Sequence, residues 1–96
     1  MTTAKGFKIG SLEHHSSLLR IMVLLLETGE INFQQFIDVY GFYPNSLYSA
    51  LEKALEIGLV KQRLDASKYP PRNMISLTPK GVKVASKLKD IEELLE

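Results

Sequence analysis

The sequence predicts a mainly helical domain of the α+β class, with a three-helix core, a β-hairpin and a final helix. Several stretches repeat apolar residues at the three-and-four spacing of a helix with one buried side. From Val60 to Leu77 the period changes to the alternation of a hairpin, whose tip contains Pro70 and Pro71. The chain has 96 residues, of which 45% are hydrophobic, and this suits one domain with one modest core.

The N-terminal part of the sequence lacks the signals of a membrane or secreted protein, so we expect a cytoplasmic protein with no membrane partner. The apolar run Leu18–Leu26 contains Arg20 and is too short to span a bilayer. Residues 1–10 lack the order of basic, apolar and small residues that marks a secretion signal, and they are expected to form an N-terminal arm or an edge strand. Residues 11–96 are expected to form the single domain.

The first helix is predicted to begin at a Ser11 cap, to run to about Thr28 and to end at Gly29. Its predicted apolar stripe is Leu12, Leu19, Met22, Val23 and Leu26. Further leucines make this helix apolar nearly all round, which indicates burial on more than one side and suggests a partner subunit.

Catalytic and metal-binding patterns are missing from the sequence. His14 and His15 are adjacent, and adjacent helical positions point about 100° apart, so they are poor joint metal ligands. The chain has no cysteine, no glycine-rich phosphate loop and no Ser/His/acid grouping that the fold would assemble. We therefore expect no enzyme activity, no metal and no cofactor.

A helix-turn-helix is predicted next. Glu30–Asn32 is expected to form a short strand, and Asn32 with Gln35 resembles a capping box that opens a second helix to Tyr40. The buried stripe of this helix is predicted to be Phe33, Phe36, Ile37 and Tyr40. After a turn at residues 41–43, a third helix begins with Pro44 at its first position.

The third helix has one apolar side and one polar side. Its cap is either Tyr43 or Asn45, and Gly58 is expected to end it. Its predicted buried stripe is Leu47, Ala50, Leu51 and Ala54. Polar side chains along the exposed early turns suit it to lie against a nucleic acid.

The hairpin and the last helix complete the domain. Strands are predicted at residues 60–64 and 73–77, joined by a long tip at 65–72. Thr78 and Pro79 are expected to open a helix to about Leu95, with Gly81 allowing close approach of a neighbour. Its predicted apolar seam is Val84, Leu88, Ile91 and Leu95.

Basic residues are concentrated late in the chain. Residues 61–89 contain eight lysines or arginines and one aspartate, although the formal net charge of the whole chain is only +1. Such a block is typical either of a phosphate-binding surface or of a solvated helix face, and charge alone does not distinguish them.

Two short motifs carry a family resemblance. Gly58-Leu59-Val60 and Leu77-Thr78-Pro79-Lys80-Gly81 look like the runs that flank the wing of MarR-type winged helix-turn-helix transcription regulators. The resemblance covers roughly residues 12–95. It implies a recognition helix at about 44–57 in the DNA major groove and a wing at about 65–72 on the backbone or in the minor groove.

The resemblance also implies a homodimer joined through the terminal helices. This sequence departs from the MarR pattern in two respects. MarR proteins are usually longer, with additional helix for dimerisation and a ligand pocket, so an effector site does not carry over to this chain. The usual Asp-x-Arg pattern of the wing is reduced to Arg72 after the prolines. Arg72 is nevertheless the residue expected to reach the minor groove.

The resemblance, the basic block and the apolar stripes of the terminal helices together give the candidate site residues. The recognition-helix residues expected to contact DNA are Asn45, Ser46, Tyr48, Ser49, Glu52 and Lys53. The residues expected on the wing and the DNA backbone are Lys61, Arg63, Lys68, Arg72 and Lys80. The residues expected at the dimer interface are Leu12, Leu19, Val84, Leu88, Ile91 and Leu95.

Each recognition-helix assignment has a plainer alternative. Asn45 or Ser46 could cap the helix, Glu52 could be solvated and Tyr48 could pack on the surface. Two other functions also stay open. The domain could be a protein-interaction module, which the acids on the third helix favour, or a non-specific architectural DNA binder.

Overall fold

A computed structural model describes residues 7–13 and 15–96 of the chain. It contains, in chain order, a 3-10 helix (Lys8–Leu12), α1 (Leu18–Thr28), β1 (Glu30–Asn32), α2 (Phe33–Asp38), α3 (Pro44–Glu56), β2 (Val60–Asp65), β3 (Arg72–Leu77) and α4 (Pro79–Leu94). The predicted fold class is confirmed. Most of the predicted N-terminal arm, residues 1–6, and His14 lie outside the described residues.

The core lies between the helices and one face of the sheet. Helix α1 packs mainly against α4 and also contacts α3. The predicted stripe of α3 is confirmed, because its four members are buried. Phe36 of α2 is fully buried and packs edge-to-face against Phe42, with the ring centroids 5.6 Å apart. These contacts fix the orientation of α3 relative to the rest of the domain.

The three strands form an antiparallel sheet in the order β1-β3-β2. Ile31 pairs with Ile75 and Val60 pairs with Leu77. Ile31, Ile75 and Val60 are buried, so this face of the sheet closes the core. Beyond these pairs, β2 and β3 continue away from the helices as an exposed ribbon.

The prediction that the first helix begins at Ser11 is wrong. Residues 8–12 form a 3-10 helix in place of the expected arm or strand, and α1 starts only at Leu18. The helices are separated because Ser17 adopts a left-handed conformation, with φ at 79°. The later start also changes the apolar stripe. The buried residues of α1 are Leu18, Ile21, Met22 and Leu25.

The start of α2 agrees with the prediction and its end does not. The Asn32 side chain accepts from Gln35 N, and the Gln35 side chain accepts from Asn32 N, as in a capping box. The helix ends at Asp38, two residues earlier than predicted. Tyr40 is 42% exposed, so it lies outside the buried stripe.

The start of α3 settles the choice of cap. Tyr43 is the N-cap in an extended conformation, and Pro44 is the first helical residue. The fixed φ of proline favours a helix start at this position. Gly58 follows the helix with a φ of 79°, in the left-handed region that glycine adopts without strain.

Hydrogen bonds from Thr78 and a close backbone contact at Gly81 hold the junction between the hairpin and α4. Thr78 Oγ1 accepts from Gly81 N at 2.9 Å and donates to Gly58 O at 2.6 Å. Gly81 is buried against the chain at Leu59, where an added Cβ would lie 1.9 Å from the Leu59 carbonyl oxygen. The prediction of a close approach at Gly81 is therefore confirmed. This contact sets the angle between α4 and the ribbon.

Candidate nucleic-acid interface

Helix α3 presents a polar face opposite its buried stripe. Successive helical residues are rotated by about 100°, which places Asn45, Ser49 and Glu52 near the centre of that face. All three are exposed. Lys53 lies at one side of the face and contacts Glu56 at 3.8 Å. The face therefore combines amide, hydroxyl and carboxylate groups with little net charge.

Tyr48 marks the side of α3 that faces α2. Its ring packs on Phe33, with the centroids 4.7 Å apart and the planes tilted by 40°. The side chain stays 64% exposed. Tyr48 therefore does pack on the surface, as the plainer alternative expected. This packing leaves its ring edge and hydroxyl accessible.

The opposite side of α3 borders the segment that precedes α1. His15 Nδ1 lies 3.1 Å from Ser49 Oγ, and Ser16 Oγ donates to Ser46 Oγ at 3.5 Å. The first helix predicted from Ser11 would include Ser16, and this is wrong because Ser16 precedes α1. Contacts over 30 or more residues leave no periodic signal, so sequence reasoning missed them.

The wing is shorter at its tip than predicted. Asp65 and Arg72 are the last paired positions of β2 and β3, so the tip comprises only residues 66–71. Ser67 donates to the Asp65 carboxylate from its hydroxyl and its backbone N–H, which lowers the pKa of Asp65. Arg72 is exposed in the strand, and Lys68 is exposed in the tip.

A groove connects the wing to the helix-turn-helix. It has a volume of about 510 Å³ and is lined by residues of α2 and by Arg72 with the tip prolines. Phe33 lines this groove and also packs on Tyr48 of α3. The exposed side of α3, the start of α2 and the tip end of the wing consequently form one continuous surface.

Two of the predicted phosphate-binding residues have intramolecular partners. The Arg63 guanidinium donates to both carboxylate oxygens of Glu30, each at 2.9 Å, across the intervening strand β3. Lys80 Nζ donates to Ile57 O at 2.8 Å, just beyond the end of α3. Lys61 is exposed on β2. Lys68 and Arg72 are thus the exposed cations that supply the positive charge at the ribbon tip.

The Arg63–Glu30 pair predicts a pH-dependent stabilisation. The hydrogen bonds from Arg63 lower the pKa of Glu30 below its ordinary value of 4.5, so the pair stabilises the fold above that pH. This contribution is lost as the pH falls through the lowered pKa. R63Q should therefore show a slightly lower urea midpoint than the wild type at pH 7 and the same midpoint in strongly acidic buffer.

K83Q is the matched control for this measurement, since it removes one exposed positive charge from α4 and leaves Glu30 intact. An equal difference between R63Q and the wild type at both pH values would contradict the assignment to Glu30 ionisation.

The residues predicted at a dimer interface fall into two groups. Leu12, Val84 and Leu88 are half-buried within the subunit. Leu19, Ile91 and Leu95 are 46%, 50% and 79% exposed. These exposed residues line an apolar groove of about 300 Å³ between α1 and α4. The terminal helices therefore leave apolar surface uncovered in one subunit.

The known proteins that resemble this chain were found by comparison with solved structures. No protein-family model and no curated protein matches the chain. A transcriptional regulator homologue from Pyrococcus horikoshii OT3 is 25% identical, with a TM-score of 0.74 over 92% of this chain and 86% of that chain. The likeness covers nearly the whole domain. The chain has the winged-helix fold of MarR-type transcriptional regulators.

Two further structures agree with this winged-helix assignment. A mutant of ZitR from Lactococcus lactis is 25% identical, with a TM-score of 0.72 over 86% of this chain but only 62% of its own length. A MarR-family regulator from Porphyromonas gingivalis W83 is 20% identical, with a TM-score of 0.70 over 97% of this chain and 92% of that chain, which supports the fold. The proteins from Pyrococcus horikoshii and Porphyromonas gingivalis are both named as transcriptional regulators.

The described residues contain neither a metal-binding cluster nor a membrane-spanning helix. Among residues 7–13 and 15–96, no group of three or more His, Cys, Asp and Glu side chains is arranged to hold a metal ion. Over the same part of the chain, none of the helices is long and apolar enough to cross a membrane.

Proposed function

We propose that this winged-helix protein is a sequence-specific transcriptional regulator that binds double-stranded DNA. In this proposal α3 lies in the major groove and the wing lies on the backbone or in the minor groove. The observation that carries the proposal is the continuous surface from Tyr48 through Phe33 to Arg72. It joins a polar helix face to a basic ribbon, as binding to one duplex requires.

Base contacts are assigned to the exposed face of α3. The Asn45 amide can bond adenine at two positions, and the Glu52 carboxylate can accept from the amino group of cytosine. Ser49 can bond a base or a phosphate. Tyr48 offers an exposed ring edge for a thymine methyl group and a hydroxyl for a polar contact. These groups supply selectivity rather than charge attraction.

Phosphate contacts are assigned to cations of the ribbon and of α3. Lys61, Lys68 and Arg72 are exposed on or near the wing, and Lys53 lies beside the polar face of α3. Phosphate attraction tolerates imprecise geometry, so these side chains can act as a group. Arg72 is the side chain proposed for the minor groove.

Selection from random duplex DNA tests the proposal. The expected product is an inverted repeat with half-sites about 10 base pairs apart, since each subunit of a symmetric dimer would read one half-site. E52A should alter the preferred bases more than the overall affinity. Binding without any enriched sequence would favour a non-specific architectural role, and absence of binding would exclude both.

A protein-interaction module is the second candidate. The observation that favours it is the pair of carboxylates, Glu52 and Glu56, on the exposed side of α3. Replacing both with glutamine distinguishes the candidates. A DNA-binding face should bind a duplex more tightly after the change, whereas a face that docks on a basic protein partner should lose that partner.

Homodimerisation through the terminal helices belongs to the same proposal. The supporting observation is the uncovered apolar surface along α1 and the end of α4, where Ile91, Leu94 and Leu95 are at least 50% exposed. Burial of such side chains yields about 25 cal/mol per Å² of apolar area. A second copy of the chain would cover this surface by presenting the same helices.

The dimer gives a direct prediction. I91E/L95E should convert a particle of two chains into a single chain in light scattering at micromolar concentration, because it places charges in the apolar interface. L64E is the control, since Leu64 is 67% exposed on the ribbon, away from the terminal helices. A wild-type protein that scatters as a single chain would contradict the proposed dimer.

A further inference from the structure

The segment from His15 to Arg20 extends the polar face of α3 on the side away from the wing. Ser46 and Tyr48 are two positions apart, which places them about 200° apart around the helix. Tyr48 faces α2, whereas Ser46 contacts Ser16. His15 reaches Ser49, which lies near the centre of the exposed face. Any molecule that lies along this face therefore also borders the His15–Arg20 segment.

Arg20 is held beside the start of α3. Its Nη2 donates to Ser17 Oγ at 2.9 Å, and its guanidinium lies 5.1 Å from the centroid of the Phe42 ring. Phe42 directly precedes the N-cap of α3. These contacts orient the side chain without neutralising it.

The charge of Arg20 stays available. Its side chain is exposed, and it takes part in none of the ion pairs formed among residues 7–13 and 15–96. Arg63 differs in this respect, because Glu30 holds its guanidinium. Arg20 is thus an oriented cation next to a helix whose own exposed face carries two carboxylates.

A helix in the major groove meets phosphate on both sides. The groove is about 12 Å wide, and a helix with its side chains is about 10–12 Å across, so both backbones of the duplex border the helix. The wing, through Lys68 and Arg72, serves one side. The other side requires cations and hydrogen-bond donors from a different element. His15, Ser16 and Arg20 provide these groups on that side.

We propose that His15, Ser16 and Arg20 form a second phosphate-binding surface, which contacts the DNA backbone on the side of α3 opposite the wing. This inference rests on the proposed DNA-binding function and adds residues that the family motifs do not include. Arg20 supplies the charge, and the two polar residues supply hydrogen bonds and join the surface to α3.

Glu13 limits the strength of this surface. It lines the same hollow, of about 490 Å³, as His15, Ser16 and Arg20. A carboxylate at this position repels phosphate and partly offsets the guanidinium charge. E13Q should therefore strengthen DNA binding while leaving the contacts of Arg20 with Ser17 and Phe42 in place.

Fluorescence anisotropy with a random-sequence 20-base-pair duplex tests the proposal across a salt series. R20Q should weaken binding about three- to tenfold and reduce the slope of log affinity against log salt by about one. R20K should retain the slope because it keeps the charge. K83Q is the control, since it removes an exposed cation from α4. E13Q should bind more tightly than the wild type.

The outcomes separate this inference from the proposed function. If the wild type binds and R72Q weakens binding, but folded R20Q behaves like K83Q, the second phosphate-binding surface alone is refuted. If R20Q does not fold, the E13Q variant provides the test. An E13Q affinity equal to that of the wild type then refutes the second phosphate-binding surface. If the wild type shows no salt-dependent binding, the proposed function itself fails.

Discussion

Replacing Gly81 with alanine should lower the free energy of unfolding by about 3 kcal/mol. The new Cβ would lie 1.9 Å from the Leu59 carbonyl oxygen and 3.2 Å from a methyl carbon of Leu77. Backbone atoms cannot move aside as a flexible side chain can, so α4 or the start of β2 must shift. Because this junction also carries the Thr78 hydrogen bonds, the shift should disturb the wing as well as the core.

Urea denaturation measures the loss, and G10A is the matched control. An added Cβ at Gly10 would lie 3.5 Å from Glu13 Oε1, which is an ordinary contact. G10A should therefore change the midpoint little. Equal midpoints for G81A and the wild type would contradict the close approach of α4 to Leu59.

Neutralising the wing should cause the largest loss of DNA affinity. K68Q/R72Q removes two exposed cations from the ribbon, and each phosphate contact contributes roughly one unit to the salt slope. We expect an affinity loss of about 30- to 100-fold in low salt and a slope smaller by about two. The fold should survive, because both side chains are exposed.

K83Q/K87Q is the control for the wing variant, since it makes the same change of net charge on exposed positions of α4. Electrophoretic mobility and anisotropy titrations on one duplex should show that only the wing variant loses most of its affinity. Equal losses in both variants would indicate attraction by net charge alone, without a localised wing contact.

Local signals predicted much of the fold. The Asn32–Gln35 capping box, the Thr78 cap and the buried stripe of α3 depend on residues a few positions apart, so a single sequence contains them. The close approach at Gly81 was also predictable, since a glycine in the first turn of a helix indicates a near neighbour.

The first helix shows where periodicity misleads. The apolar residues from Leu12 onward continue a helical pattern, but Ser17 takes a left-handed conformation and divides the segment. A serine gives little warning of this, because glycine is the residue usually found there. The wrong start shifted the predicted buried stripe, in which only Met22 was correct among the five residues.

Long-range contacts account for the rest of the differences. Arg63 meets Glu30 because β3 lies between their strands, and that order is a property of the assembled sheet. His15 and Ser49 meet because the segment before α1 crosses α3. The number of basic residues in this stretch places Arg63 with Lys68 and Arg72 as a phosphate-binding residue. In the fold, Arg63 instead pairs with Glu30.

The most direct test of DNA binding is the affinity of the wild-type protein for duplex DNA measured from about 50 to 200 mM salt. Cations on the wing and beside α3 should release counterions from the DNA, so log affinity should fall linearly with log salt at a slope more negative than about −3. Absence of binding at the lowest salt, or an affinity that does not change with salt, would contradict the proposed function.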